Sequence, residues 1–197
     1  GTAWIYERID TNEVVANCHK IPNTFFNIRL LSVSEIVEIY KPIIEQLKDL
    51  NFIFTISPVR HVKSGLYENN LSKSTLHLAI NELVKNYDNC YYFPAYEIVI
   101  DELRDYRFYK EDMVHPTDQA VNYVWAKFSE TYFSVETKQL NTEIQKVRNA
   151  SMHKPFNYKS EQHQTFINNQ LEVIKRLEHQ SPFLNFEEEK KRLNHQN

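Results

Sequence analysis

The sequence predicts an α/β fold, a layered arrangement with parallel strand pairing, followed by a C-terminal helical hairpin. Three observations predict it. Phe52-Ile53-Phe54-Thr55-Ile56 and Cys90-Tyr91-Tyr92-Phe93 are short, nearly unbroken apolar runs, the pattern of strands buried on both faces of a parallel sheet. Between them Leu76, Ala79, Ile80, Leu83, Val84 and Tyr87 recur at i, i+3, i+4, i+7, i+8 and i+11, which is an amphipathic helix. From Val135 onward the segments turn polar with thin apolar stripes, as helices on a surface do. Strand, helix and strand in alternation imply parallel pairing through a crossover.

The elements follow in order. Ala3-Trp4-Ile5-Tyr6 reads as one strand, and the chain to residue 31 as irregular. Ser32-Val33-Ser34-Glu35 has the spacing of a capping box and opens a helix. Ile36, Ile39, Tyr40, Ile43, Leu47 and Leu50 share one of its faces. Pro42 lacks an N–H and crowds the preceding turn, which predicts a kink or a split. Strand 52–57 ends at Ser57-Pro58, a polar loop covers 59–72, and the periodic helix covers 73–87. Strand 90–93 stops at Pro94, followed by a short helical stretch from Tyr96 to Leu103 and a charged, aromatic loop from Arg104 to Pro116. Thr117 caps a helix to residue 133 that should bury Val121, Val124, Trp125, Phe128 and Tyr132.

Residues 136–150, striped by Leu140, Ile144 and Val147, and 161–179, striped by Ile167, Leu171, Ile174 and Leu177, form the hairpin. A last helix is expected to be solvated, with Glu187–Lys191 and Glu188–Arg192 as i,i+4 pairs. Residues 1–134 thus read as an α/β domain and 135–197 as a helical extension packed on it.

Composition narrows the function. The chain has 197 residues, 42% hydrophobic and 25% charged, room for one domain with a core. It has two glycines, Gly1 and Gly65, where average usage gives roughly fourteen. That excludes a G-x-G-x-x-G turn or a Walker-type phosphate loop, both of which need clustered glycines. A net charge of -3 gives no basic field for nucleic acid. No apolar stretch approaches the roughly 20 residues of a membrane span. Cys18 and Cys90 are far apart and belong to no C-x-x-C pair, which fits reduced thiols and a cytoplasmic location. The eight histidines show no metal-binding spacing, so neither metal nor cofactor is expected. The chain opens on Gly1 without an initiator Met, as a cut or processed piece would.

Four places could carry chemistry. Asp112-x-x-His115, in the loop before the Thr117 helix, can pair a carboxylate with one imidazole nitrogen and leave the other as a general base. The same spacing also serves a hydrogen bond that steadies a loop. Arg60 and His61 follow a strand end, where open α/β sheets bind ligands. Arg60 could hold an anion or a substrate oxygen, or be a solvated loop residue, and His61 is more often a loop histidine than a ligand. Asn17 could donate to a developing oxyanion. Cys18 beside His19 invites a thiol nucleophile, but neighbours on extended chain point opposite ways.

Taken together, several of these stretches resemble a known family. They are Gly1-Thr2-Ala3-Trp4-Ile5-Tyr6, Val14-Val15-Ala16-Asn17-Cys18-His19-Lys20, Thr55-Ile56-Ser57-Pro58-Val59-Arg60-His61, Tyr92-Phe93-Pro94-Ala95-Tyr96-Glu97, and Asp101 to Tyr109 running on to Asp112-Met113-Val114-His115-Pro116. Over residues 1–134 the chain resembles the GSCFA domain, a bacterial branch related to SGNH/GDSL hydrolases. The resemblance implies a three-layer fold and a Ser–His–Asp ester-cleaving site. Its Asp and His fall on Asp112 and His115, and its strand-end Gly on Gly1. The Asn expected two positions after that Gly is Ala3 here, which makes Asn17 the substitute oxyanion candidate. The serine motif is expected upstream of Gly1, so these residues alone should be inactive. The implied function is an SGNH-type ester hydrolase, or a related acyl transferase, acting on an acylated carbohydrate-like or small polar substrate. The alternative is a non-catalytic domain that binds a glycan or a protein partner. The C-terminal helices are a possible homo-oligomer contact.

Overall fold

The computed structural model describes residues 1–15, 21–155, 157, 158 and 160–194. They form a mixed α/β structure rich in helix, in two units, Gly1–Phe128 and Ser129–Asn197. The described residues among the first 31 hold more regular structure than expected. Strand β1 (Trp4–Arg8) lies between β2 (Val14–Val15) and β3 (Phe26–Leu30), antiparallel to both. Asn12 takes φ 56°, a left-handed turn conformation that asparagine tolerates, and so reverses the chain between β1 and β2. Trp4 pairs with Leu30 and Arg8 with Phe26. The apolar-polar alternation of β3, with Phe26, Ile28 and Leu30 at every second position, is the signal that the irregular reading passed over.

Helix α1 (Val33–Gln46) starts with a complete capping box: the Glu35 N–H donates to Ser32 Oγ, and Glu35 Oε2 accepts from the Ser32 N–H. It is one continuous element, with Pro42 inside it. The face it buries is not the expected one. Ile36, Val37 and Ile44 are buried, whereas Ile39, Tyr40, Ile43, Leu47 and Leu50 are exposed. Apolar residues occupy more than one side of this helix, and the side that wins is the one facing Ala79 and Leu83.

Strands β4 (Phe52–Phe54) and β5 (Cys90–Tyr92) pair in parallel, Phe52 opposite Cys90 and Phe54 opposite Tyr92. Phe52, Phe54 and Cys90 join the core of Ala3, Ile36, Val37, Ile44, Ala79 and Leu83. The other face is only partly covered: Ile53 and Tyr91 are exposed, against the expectation of burial on both sides.

The stretch read as a polar loop, 59–72, is mostly helix. After a short turn at Val62–Ser64, α2 runs over Leu66–Asn86. Its first half buries Asn69, Ser72 and Lys73, a polar stripe that an apolar periodicity does not detect. Each of these side chains is satisfied by chain packed against it. Asn69 Oδ1 accepts from the His61 N–H at 2.9 Å, and Ser72 Oγ accepts from the Ala3 N–H at 2.7 Å. Lys73 Nζ donates to the carbonyls of Gly1 and Ser57 at 2.9 and 2.7 Å.

After β5 come α3 (Ala95–Glu97), a π-helical turn over Ile98–Leu103, and α4 (Asp118–Tyr132). Helix α4 buries Ala120, but Val121 and Trp125 are 51% and 54% exposed, not buried as expected, because this face borders a cavity and not a filled core.

In the second unit, α5 (Val135–Met152), α6 (Glu161–Gln180) and α7 (Glu187–Asn194) share a core of Val147, Ile167, Ile174, Leu177, Phe186 and Leu193. Helix α7 is therefore a packed third helix, not a solvated one: Leu193 is fully buried. Its charges pair at i,i+3, Lys190 with Glu187 and Lys191 with Glu188, and Lys190 also reaches Glu178 of α6 at 2.9 Å. Among the described residues no helix is long and apolar enough to cross a membrane, and no cluster of metal-ligating side chains occurs.

Candidate functional site

The loop from Arg104 to Pro116 is held from within. Asp105 caps a short turn at Tyr106–Phe108 by accepting from the Arg107 N–H. Phe108 is buried beneath it. Tyr109 bridges Pro116, the Lys110 N–H donates to the His115 carbonyl at 2.8 Å, and the Thr117 N–H donates to the Phe108 carbonyl at 2.8 Å. These bonds leave Asp112–His115 as a tight tip, with Met113 at φ 58°. A non-glycine residue there costs on the order of 1–2 kcal/mol, which the surrounding bonds hold in place.

At the tip, Asp112 Oδ2 lies 2.6 Å from His115 Nδ1. Asp112 Oδ1 accepts from the N–H groups of Val114 and His115, both at 2.9 Å. These bonds, the His115 N–H first and then its ring, hold the Asp112 carboxyl at about 2, below the usual 3.8. An ionised carboxylate requires a proton on Nδ1, which leaves Nε2 as the free lone pair of a neutral ring. The His115 and Asp112 side chains are 58% and 49% exposed, so Nε2 is reachable from outside. Among the described residues, Asp112 is the side chain to which His115 hydrogen-bonds.

Arg60 reaches the same loop. Its Nη1 donates to the Met113 carbonyl at 3.4 Å, and its guanidinium carbon lies 5.1 Å from the centre of the Tyr109 ring. Next to the loop is a cavity of about 400 Å³ with an almost wholly apolar lining. Ile53, Thr55 and Phe93 wall it from the strands, Pro116 from the residue after His115, and Val124 and Phe128 from α4.

Gly1 and His61 gather around Lys73. Lys73 holds the Gly1 carbonyl, and the His61 ring is pushed down by partial desolvation and then by the Lys73 charge. Burial likewise pushes Lys73 down. Among the described residues no hydrogen bond joins Gly1 or His61 to Asp112 or His115. Asn17, with Cys18 and His19, lies outside the described residues.

Three features escaped the sequence reading. Lys73 shares a helical stripe with Asn69, Ser72 and Leu76, but a mostly polar stripe is not what an apolar periodicity detects. The Tyr92 hydroxyl donates to Glu97 at 3.0 and 2.8 Å, His77 Nδ1 lies 3.6 Å from Glu97, and the His77 ring meets Tyr92 and Tyr96 edge-on. Burial, and then Glu97, push the Tyr92 hydroxyl up. No spacing links residues 77, 92 and 97, because the crossover brings them together. Arg104, at φ 36°, was read only as part of a charged loop.

The model of the GSCFA family matches residues 1–128, and that of the GSCFA domain protein C-terminal domain matches residues 144–197. No curated protein and no solved structure matches the chain.

Proposed function

The chain belongs to the GSCFA family, and from that premise we propose that it carries the acid–base half of an SGNH-type ester-cleaving site. The observation that carries this reading is the 2.6 Å contact between Asp112 Oδ2 and His115 Nδ1, in a His115 side chain more than half exposed. The reading assigns the nucleophile to a serine outside residues 1–197. As that serine attacks the ester carbonyl carbon, His115 Nε2 takes its proton. The tetrahedral intermediate collapses, the C–O bond to the alcohol breaks, and the imidazolium returns the proton to the leaving alcohol. Water then enters by the same route and frees the acid. Asp112 holds the ring and stabilises its charged form without taking the proton.

Arg60 is assigned to a substrate oxygen or anion, on the strength of its contact with the Met113 carbonyl. The apolar cavity beside Pro116 suits the acyl part, and an acylated carbohydrate-like or small polar alcohol the rest. A three-layer order is supported by the alternation through β4 and the residue after it: Phe52 and Phe54 join the α1–α2 core, while Ile53 and Thr55 line the cavity that α4 borders. Gly1 and Asn17 remain proposals for the oxyanion.

A second reading, a non-catalytic glycan- or protein-binding domain, is favoured by the two backbone N–H bonds to Asp112, which would steady the loop without any chemistry. The test is His115→Ala in the full-length protein. Catalysis predicts at least a ~10³-fold loss of p-nitrophenyl acetate turnover per folded molecule, and a smaller loss for Asp112→Asn. Unchanged turnover with a lowered melting temperature would leave only the loop-steadying role.

A further inference from the structure

A second cavity, of about 190 Å³, adjoins the Asp112–His115 loop, and Arg60, Arg104, Asp105, Tyr106 and Tyr109 are among its walls. Two arginines line it from different elements. Arg60 comes from the loop after β4, and Arg104 from the end of the π-helical turn. A guanidinium stays charged at any pH the protein survives, so two residues of fixed positive charge stand in the cavity wall.

Among the described residues no carboxylate pairs with either arginine. Arg60 touches a carbonyl and the face of Tyr109, neither of which neutralises it. Among the described residues Arg104 forms no ion pair. The carboxylate in the wall, Asp105, is occupied by Arg107, through its backbone N–H at 2.9 Å and its Nε at 3.7 Å. The backbone is also unusual here. A π-helical turn, a rare element found often at functional sites, ends on a left-handed, non-glycine Arg104. The same wall residue, Val99, lines the apolar cavity as well, so the two spaces lie on either side of it.

We propose that this cavity is an anion subsite in which Arg60 and Arg104 together hold a carboxylate or phosphate group of the ligand. The inference rests on the hydrolase reading only in making that ligand an ester substrate. On that reading, the ester carries an acidic group, bound beside His115. Planar guanidinium forks match both anions in geometry.

The test is binding, which needs no nucleophile. Inorganic phosphate and glucuronate are titrated into the protein by NMR in 0.15 M NaCl, with glucose as the neutral control. Saturable binding of one or both anions at a single site, absent with glucose, is expected. The two anions distinguish a phosphorylated from a carboxylated ligand. Arg60→Ala and Arg104→Gly should each weaken that binding at least tenfold, while Arg176→Ala, in the second unit, leaves it unchanged. Glycine suits φ 36° better than arginine does, so Arg104→Gly removes the charge without threatening the fold, and its melting temperature should be unchanged or higher. No saturable binding of either anion, or binding untouched by both substitutions, would overturn the subsite. His115-dependent turnover of p-nitrophenyl acetate alongside failed anion binding overturns the subsite alone. Anion binding without any such turnover in the full-length protein overturns the hydrolase reading and leaves the subsite standing.

Discussion

At residue scale, Asp112 is governed more by backbone than by its histidine. Its carboxyl lies at about 2, and the largest cause is the His115 N–H, ahead of the His115 ring. A carboxyl depressed on folding contributes stability that is complete above its ordinary pKa of about 4. That contribution is lost as pH falls through about 2. His115→Ala removes the ring but keeps both N–H donors. A carboxyl-carbon NMR titration should therefore show the Asp112 midpoint rising only part of the way to its ordinary value in that variant. A midpoint fully restored to the ordinary value would mean that the backbone bonds contribute nothing. The Asp112–His115 pair was legible because three-residue spacing in a tight loop brings its own ends together. Lys73 was not, because its partners are the carbonyls of Gly1 and Ser57, and every residue has a carbonyl. Arg104 was hidden for a similar reason: nothing in a charged run says which residue takes the left-handed turn.

At the scale of elements, α2 begins where it does because of Gly65. That residue has φ 105° and ψ 154°, a region open in practice to glycine alone. A Cβ there would come within 2.1 Å of Glu68 Oε2. Gly65→Ala should lower stability by about 1–3 kcal/mol, read as a shift in the urea midpoint at unchanged slope. Adding Glu68→Ala relieves the clash but not the backbone, so the double variant should recover only part of the loss. Full recovery would show that the backbone conformation carries no penalty. The parallel strands were legible because their apolar runs are short and bounded by proline. The buried half of α2 was not, because it packs amide, hydroxyl and ammonium groups where a periodicity search looks for hydrocarbon. The packing of helix α7, expected as a solvated helix, was missed because its charges outnumber Phe186 and Leu193, the apolar residues that anchor it.

At the scale of the whole molecule, each unit has its own buried cluster, around Leu83 in the first and Leu177 in the second. Truncating a fully buried leucine costs roughly 2–5 kcal/mol. Leu177→Ala should therefore speed amide hydrogen exchange across α5, α6 and α7, and Leu83→Ala across α1 and α2. Faster exchange in α1 and α2 from Leu177→Ala, with α5–α7 unaffected, would contradict this assignment of cores. Lys73 gives the first unit a further property. The residue is 2% exposed, and its amine spans the carbonyls of Gly1 and Ser57. An acylating reagent in solution cannot meet it until α2 parts from the chain packed on it. Once parted, the amine is an ordinary, reactive lysine. Its modification is therefore paced by the opening of the unit and not by the chemistry of the reagent, so that one side chain keeps a clock of how often this half of the protein comes apart.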